Sequence, residues 1–187
     1  MGFTRAELER YRNRTVDDLI GPGCRLLFVG INPGLWTAAT NTHFCHPSNR
    51  FYPALRAAGL IDWVIDPQTG MTDEQRVDFL TRGMGITNLV ARATARASEL
   101  SRCELSEGAR RVARVVAEVR PAVVAVAGVT AYRTAFGLPK AAPGPQAEPL
   151  AGASVWVVPN PSGLNAHETL TTLAGWYSQA AEAAGLV

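Results

Sequence analysis

Cysteine, histidine and lysine are all scarce in this chain of 187 residues. Its cysteines, Cys24, Cys45 and Cys103, are odd in number and widely spaced, which suits neither a disulfide framework nor a zinc or iron–sulfur site. His43 and His167 have no Cys or His partner at metal spacing, so no metal is expected. No apolar run approaches the roughly 20 residues needed to cross a bilayer. The opening MGFTRAELERYRNR is too polar for a signal peptide, and Ala6 stands where a myristoylation motif wants Ser or Thr. A net charge of +2, from 18 basic and 16 acidic side chains, excludes a polybasic tail. Lys140 is the one lysine, and the bias toward Arg carries little weight. No Ser-His-Asp or Cys-His pairing stands out. Gly30-Ile31-Asn32-Pro33-Gly34 has neither the Walker spacing nor its Lys-Ser/Thr ending, so no nucleotide cofactor is expected. What remains is a cytosolic, metal-free domain without a cofactor.

Apolar residues make up 47% of the chain and charged ones 18%, enough for one sizeable core, and no repeat or linker divides residues 1–187. Thr4 can cap a helix over TRAELERYRNR, with Glu7 as capping-box partner. Arg25 to Ile31 is a short apolar run and reads as a buried strand. Asn32 to Pro47 has no period and reads as a long loop, a kind that is often functional. Helices are expected over Asn49–Ala58, after Thr72 as far as Gly83, and over Ser106–Arg120, where Val112, Val115, Val116 and Val119 share one face. Ile86–Val90, Ala122–Ala127 and Ser154–Val158 read as strands. Gly128 leads into a helix over VTAYRTAF, Lys140–Gly152 reads as a surface loop, and a last helix runs from about His167 to Ala184. Strands alternating with helices imply an α/β sandwich around a mainly parallel sheet, whose ligands bind beyond the carboxyl ends of the strands.

Two turns follow strand ends and should share that rim. In the first, Pro33 biases Asn32 away from the α region, and the glycines permit close approach of a ligand. Asn32 is thereby held at a strand end with an amide that can donate and accept, although an ordinary Asn-Pro-Gly turn explains the pattern as well. The second, Asn160-Pro161-Ser162-Gly163-Leu164, offers N–H groups and a hydroxyl near a helix start, a reasonable anion site. Leu164 either packs beneath its turn or stands out as a wedge for a base stack. Phe44 and Phe51 either anchor the long loop or stack on a flat ligand. Arg92, Arg96, Arg102, Arg110 and Arg111 could touch phosphates, but a solvated helix face accounts for them too.

Taken together, Gly30-Ile31-Asn32-Pro33-Gly34-Leu35, His46-Pro47-Ser48-Asn49-Arg50-Phe51, Gly85-Ile86-Thr87-Asn88-Leu89-Val90 and Asn160-Pro161-Ser162-Gly163-Leu164 occur in an order that resembles the mismatch-specific uracil-DNA glycosylases. These are relatives of thymine-DNA glycosylase within the uracil-DNA glycosylase superfamily, and the match looks close to the bacterial G:U mismatch-specific enzymes. It covers roughly Arg25 to Trp176. The resemblance implies a three-layer α/β/α sandwich with a short, mainly parallel sheet. It implies hydrolysis of the N-glycosidic bond of uracil, and of related lesions such as ethenocytosine, in double-stranded DNA, by a monomer in the bacterial cytoplasm near the nucleoid. No metal or cofactor is implied.

Residue by residue, the resemblance puts the water-positioning Asn at Asn32 and the base-stacking aromatic at Phe44, with Gly30, Ile31, Thr37, Ala38, Asn88 and Asn160 around the base. The intercalating Leu falls on Leu164, with Ser162, Gly163 and Asn165 beside it on the DNA backbone or the widowed guanine. There are departures. Where relatives have an acid before the Arg of a Val-acid-Arg-x-Thr segment, this chain reads Val90-Ala91-Arg92-Ala93-Thr94, so a carboxylate is lost near Ala91 or Ala93. Relatives often have Arg soon after the wedge, whereas Asn165-Ala166-His167 stand here.

The chemistry fits the residue types. A base must leave the stack to be excised, and a wedge can fill the gap. An amide does not titrate usefully, so Asn32 can only orient water, and a slow enzyme is expected. Two other readings stay open: a lesion-binding module with negligible turnover, and a small-molecule α/β binding domain using the same rim.

Overall fold

A computed structural model describes residues 2–187. In chain order the elements are α1 (Arg5–Glu9), β1 (Leu26–Gly30), α2 (Leu35–Thr40), α3 (Phe51–Ala57), α4 (Asp73–Thr81), β2 (Met84–Asn88), α5 (Arg102–Val119), β3 (Val123–Ala127), α6 (Val129–Phe136), β4 (Gly144–Pro145), β5 (Ser154–Val158) and α7 (Leu170–Ala184). The sheet order is β2-β1-β3-β5-β4. Each pair is parallel except β4 with β5.

The continuous apolar runs become central strands because both of their faces are covered. Leu26 and Phe28 of β1 face a core shared with α3, α4 and α7; Leu27 and Val29 face a second core shared with α5 and α6. The same alternation splits β3, with Val123 and Ala125 on one side and Val124 and Val126 on the other. The result is the expected three-layer α/β sandwich with a mainly parallel sheet. On the first side Phe28, Phe51 and Tyr177 form an edge-to-face cluster, with centroids 5.0 to 5.6 Å apart.

Register fixes the rim. Gly30 pairs with Asn88 across β1 and β2, and Ala127 pairs with Val158 across β3 and β5. The chain passes from β1 to β2 on one side and returns to β3 on the other. The crevice above β1 is therefore a topological switch point, the usual ligand site of open α/β sheets.

Several boundaries differ from the sequence reading. The stretch after Asn32 is not all loop: Leu35, Trp36 and Thr37 bury themselves as α2, a helix too short to show a period. α1 ends at Glu9, and β2 starts at Met84 rather than Ile86. α5 starts at Arg102, not Ser106, because Ser101 and Glu104 form a reciprocal capping box. A similar box of Thr169 with Thr172 delays α7 to Leu170. Gly144–Pro145 inside the expected surface loop adds a short antiparallel edge.

Candidate functional site

Above the crevice lies a cavity of about 360 Å3. Of the residues assigned to the base pocket, Ile31, Asn32, Thr37, Phe44, Asn88 and Asn160 line it, as do Ser162 and Leu164 of the second turn. The two turns, 130 residues apart in the chain, thus share one rim as expected. Ala38 does not line the cavity, and neither do Ala91 and Ala93. Ala93 is fully buried, with its N–H on the Arg14 carbonyl and its own carbonyl accepting from Asn13. Among the described residues no carboxylate lines the cavity.

Asn32 sits just past β1. Its Nδ2 donates to the carbonyls of Pro33 and Arg92, both at 3.1 Å, and to Thr94 Oγ1 at 2.8 Å. Thr94 spends its own proton on the Arg96 carbonyl at 2.8 Å, so its oxygen must accept from Asn32. The rotamer and polarity of Asn32 are thereby fixed: the amino end points into the protein, and among the described residues no donor reaches Oδ1. The Arg92 carbonyl is steadied in turn, since the Arg92 side chain pairs with Glu104 at 2.6 Å and donates to Asn13 Oδ1 at 3.1 Å.

Phe44 has a left-handed backbone (φ 56), unusual for a bulky residue. Its ring and its two chain neighbours are all held in place. Its ring stacks on Phe51 with centroids 4.2 Å apart, Cys45 is buried, and Tyr52 donates its hydroxyl to the His43 carbonyl at 2.8 Å. The ring thus anchors its loop and also lines the cavity.

Gly30 has a local reason to lack a side chain. A Cβ there would come within 2.4 Å of Asn88 Oδ1 and 3.0 Å of the Phe44 ring. Asn88 is buried at the end of β2, and its Nδ2 lies 3.0 Å from His43 Nδ1. His43 Nε2 lies 2.8 Å from the Asp17 carbonyl. Burial pushes the His43 pKa below its ordinary value; Arg76 and Arg111 push the same way, against the Asp17 hydrogen bond and Asp18.

The second turn is built by its own polar groups. Asn160 Oδ1 accepts from the Ser162 N–H at 3.0 Å, and Ser162 Oγ from the Leu164 N–H at 3.3 Å. Leu164 is 89% exposed, so it does not pack beneath the turn. Gly163 and Asn165 stand behind it. Gly163 lies against Ser48, where a Cβ would meet the backbone oxygen at 2.7 Å. Asn165 donates its side-chain amide to the Asn160 carbonyl at 3.0 Å.

Arg50 ties this turn to the first loop. Its guanidinium donates to the carbonyls of Ser162 (3.0 Å), Asn165 (2.7 Å) and Glu168, and its N–H reaches the Pro161 carbonyl at 2.9 Å. His46 Nδ1 hydrogen-bonds Ser48, 2.9 Å from its Oγ and 3.2 Å from its N–H. Of the arginines grouped in the sequence, Arg111 is no solvated side chain: it pairs with Asp18 at 2.7 Å and donates to the Asn88 carbonyl at 2.8 Å. The reading of residues in isolation gave no role to His43, Arg50 or Thr94, since their partners lie far away in sequence. Only the adjacency of His43 to Phe44 hinted at one.

Residues 18–182 match the sequence profile of the Uracil DNA glycosylase superfamily. A solution NMR structure of a Methanosarcina acetivorans protein, described as a candidate uracil DNA glycosylase, superposes with a TM-score of 0.60 at 15% identity, covering 93% of this chain and 98% of that one. At that identity the likeness establishes the fold.

Proposed function

The chain belongs to the Uracil DNA glycosylase superfamily, and from that premise we propose that it is a monofunctional glycosylase that removes uracil from G:U mismatches by base flipping and attack of water positioned by Asn32. Membership carries uracil-DNA glycosylase repair activity and a DNA substrate. The proposal extends to the mismatch-specific subfamily, this mechanism and these residue roles, to a single domain over residues 1–187 acting as a monomer, and to ethenocytosine-like lesions.

The observation that carries the reading is the polarity of Asn32. With Nδ2 occupied three times over, the group left for the cavity is an acceptor. An acceptor takes a hydrogen bond from water and so turns the water's oxygen lone pair toward C1′. The bond from C1′ to the base nitrogen breaks, and its electron pair leaves with the base. The sugar becomes oxocarbenium-like, water oxygen bonds to C1′, and the surplus proton passes to solvent or the departing base. With no carboxylate on the cavity wall, rate comes from placement rather than from a general base.

Phe44 supplies a flat face for the flipped base. Leu164, exposed at the tip of a braced turn, enters the space the base leaves. Among the described residues no helix is long and apolar enough to cross a membrane.

The test is alkali cleavage of a labelled duplex with one G:U pair, enzyme in excess, beside Asn32→Ala. Cleavage at uracil that disappears in the variant, while duplex binding persists, is the expected result. Full turnover by Asn32→Ala removes the role of Asn32. The absent carboxylate favours a second reading, a lesion-binding module; binding of the mismatch with no base released by the wild-type protein would select it.

A further inference from the structure

The arm formed by residues 2–14 packs along one side of the cavity mouth. It precedes residues 18–182, the stretch matched to the superfamily, so membership assigns it nothing. It is nonetheless tied down near both ends. Phe3 sets its ring edge-on to Trp36 of α2, with centroids 5.0 Å apart. Asn13 donates its N–H to the Ala93 carbonyl at 2.9 Å, and the Ala93 N–H donates to the Arg14 carbonyl at 2.8 Å. Arg92 donates to Asn13 Oδ1 at 3.1 Å. Between these ties, Leu8 of α1 lines the cavity.

The arm also walls a second cleft, of about 550 Å3, with Arg5, Glu9 and Arg12 on the arm and Arg96, Ser98 and Glu99 on the segment after β2. Arg96 lines both spaces, which sets the cleft beside the cavity mouth. The charges of the cleft are already sorted. Arg12 takes both carboxylates, pairing with Glu9 at 2.8 Å and with Glu99. Glu99 also accepts the Arg96 N–H at 2.8 Å. Arg5 and Arg96 are left with no carboxylate partner among the described residues. Two guanidiniums without a counter-ion, each a planar fork of donors, suit the oxygens of a phosphate. Arg96 follows β2 and Leu164 follows β5, so the two stand on opposite sides of the mouth. With Leu164 filling the gap from the β5 side, the strand that gave up its base passes the β2 side.

We propose that Arg5 and Arg96 form a phosphate site for the strand that carries the flipped nucleotide, with the arm as its outer wall. Arg12 is the brace that keeps Glu9 and Glu99 from cancelling it. This rests on the glycosylase reading given above and deepens it. The ligand is a backbone phosphate close to the flipped base, since Arg96 also lines the cavity that the base enters. Such a contact fixes the position of the strand without reading its sequence. Both arginines are exposed, so each contributes modestly by itself.

The test measures binding to a G:U duplex and to the same strand alone, each with 2′-fluoro-arabino uracil so that no base is released. At low salt Arg5→Gln and Arg96→Gln are each expected to weaken both complexes by about three- to fivefold. The double variant flattens the slope of log K against log salt by about 0.9 on the duplex and about 0.7 on the single strand, the share of one phosphate. Arg120→Gln, just before β3 at the other end of the sheet, removes the same charge and changes neither slope. A neutral methylphosphonate, placed in turn at each phosphate near the uracil, finds the partner. At one position the wild-type protein loses affinity and the double variant loses no more. Melting temperatures show that each variant is folded.

A double variant that keeps the wild-type salt slope overturns the site, as does one that responds to every methylphosphonate as the wild-type protein does. Loss on the duplex with the single strand unaffected overturns the assignment to the strand of the flipped base. Failure of the glycosylase reading looks different: slopes and scan as expected, but uracil never released from the cleavable G:U duplex.

Discussion

Arg50 should matter for duplex DNA and hardly at all for single strands. Its guanidinium joins the loop that carries Phe44 to the turn that carries Leu164, through the carbonyls of Ser162, Asn165 and Glu168. In Arg50→Met the aliphatic stem stays and the three donors go. A hydrogen bond to a charged group contributes about 1.5–3 kcal/mol. Two considerations reduce the total. The carbonyls lie on a turn near the surface and regain water, and Arg50 Nε is buried without a partner among the described residues, a penalty that Met removes. The docked turn therefore loses about 2–3 kcal/mol relative to undocked forms, which is about a 30- to 150-fold fall in its docked-to-undocked ratio. The backbone bond from Arg50 to Pro161 and the contact of Gly163 with Ser48 remain, so the turn is loosened rather than lost.

The assay is single-turnover excision of uracil from a G:U duplex and from the same strand alone. Duplex excision is expected to fall by roughly that factor and single-strand excision by less than about threefold, the pattern also expected of Leu164→Ala. The melting temperature should drop by no more than about 12 °C, since 1 kcal/mol corresponds to about 2–4 °C in a chain of this size. Equal losses on both substrates would refute the coupling of Arg50 to the wedge.

Three further expectations follow from the same geometry. Asn32→Asp places a carboxylate among the acceptors that now receive Nδ2, so the folded pKa of the new acid lies above its unfolded value; melting should show a deficit against wild type that is absent below about pH 4 and grows as pH rises. Gly30→Ala drives a methyl group into Asn88 Oδ1 and the Phe44 ring, and should abolish binding of the uracil duplex in a protein that circular dichroism shows to be folded. Glu104 is held at a pKa of about 2 by its bond to Arg92 and its cap on Ser101, so the melting advantage of wild type over Glu104→Gln should persist above about pH 4.5 and vanish as pH falls toward about 2.

Sequence alone determined the layers of this fold. Leu26–Gly30 and Val123–Ala127 read as buried strands because both faces of a central parallel strand are covered, leaving no polar alternation to confuse the pattern. Caps were legible where the partners lie three residues apart, as at Thr4 and Thr72. The two rim turns were legible because Pro, Gly and Asn restrict the backbone locally, and their placement on one rim followed from the rule for parallel sheets.

Tertiary structure decided the rest. α2 is too short for periodicity and exists because Leu35, Trp36 and Thr37 find a core to enter. Whether Leu164 was core or tip depended on what lay beneath its turn, which no spacing encodes; its exposure settled that. The polarity of Asn32 comes from Thr94, 62 residues away. An amide carries a donor and an acceptor in nearly the same shape. Sequence therefore says only that an Asn is present, while its neighbours in space decide which end it shows to the ligand.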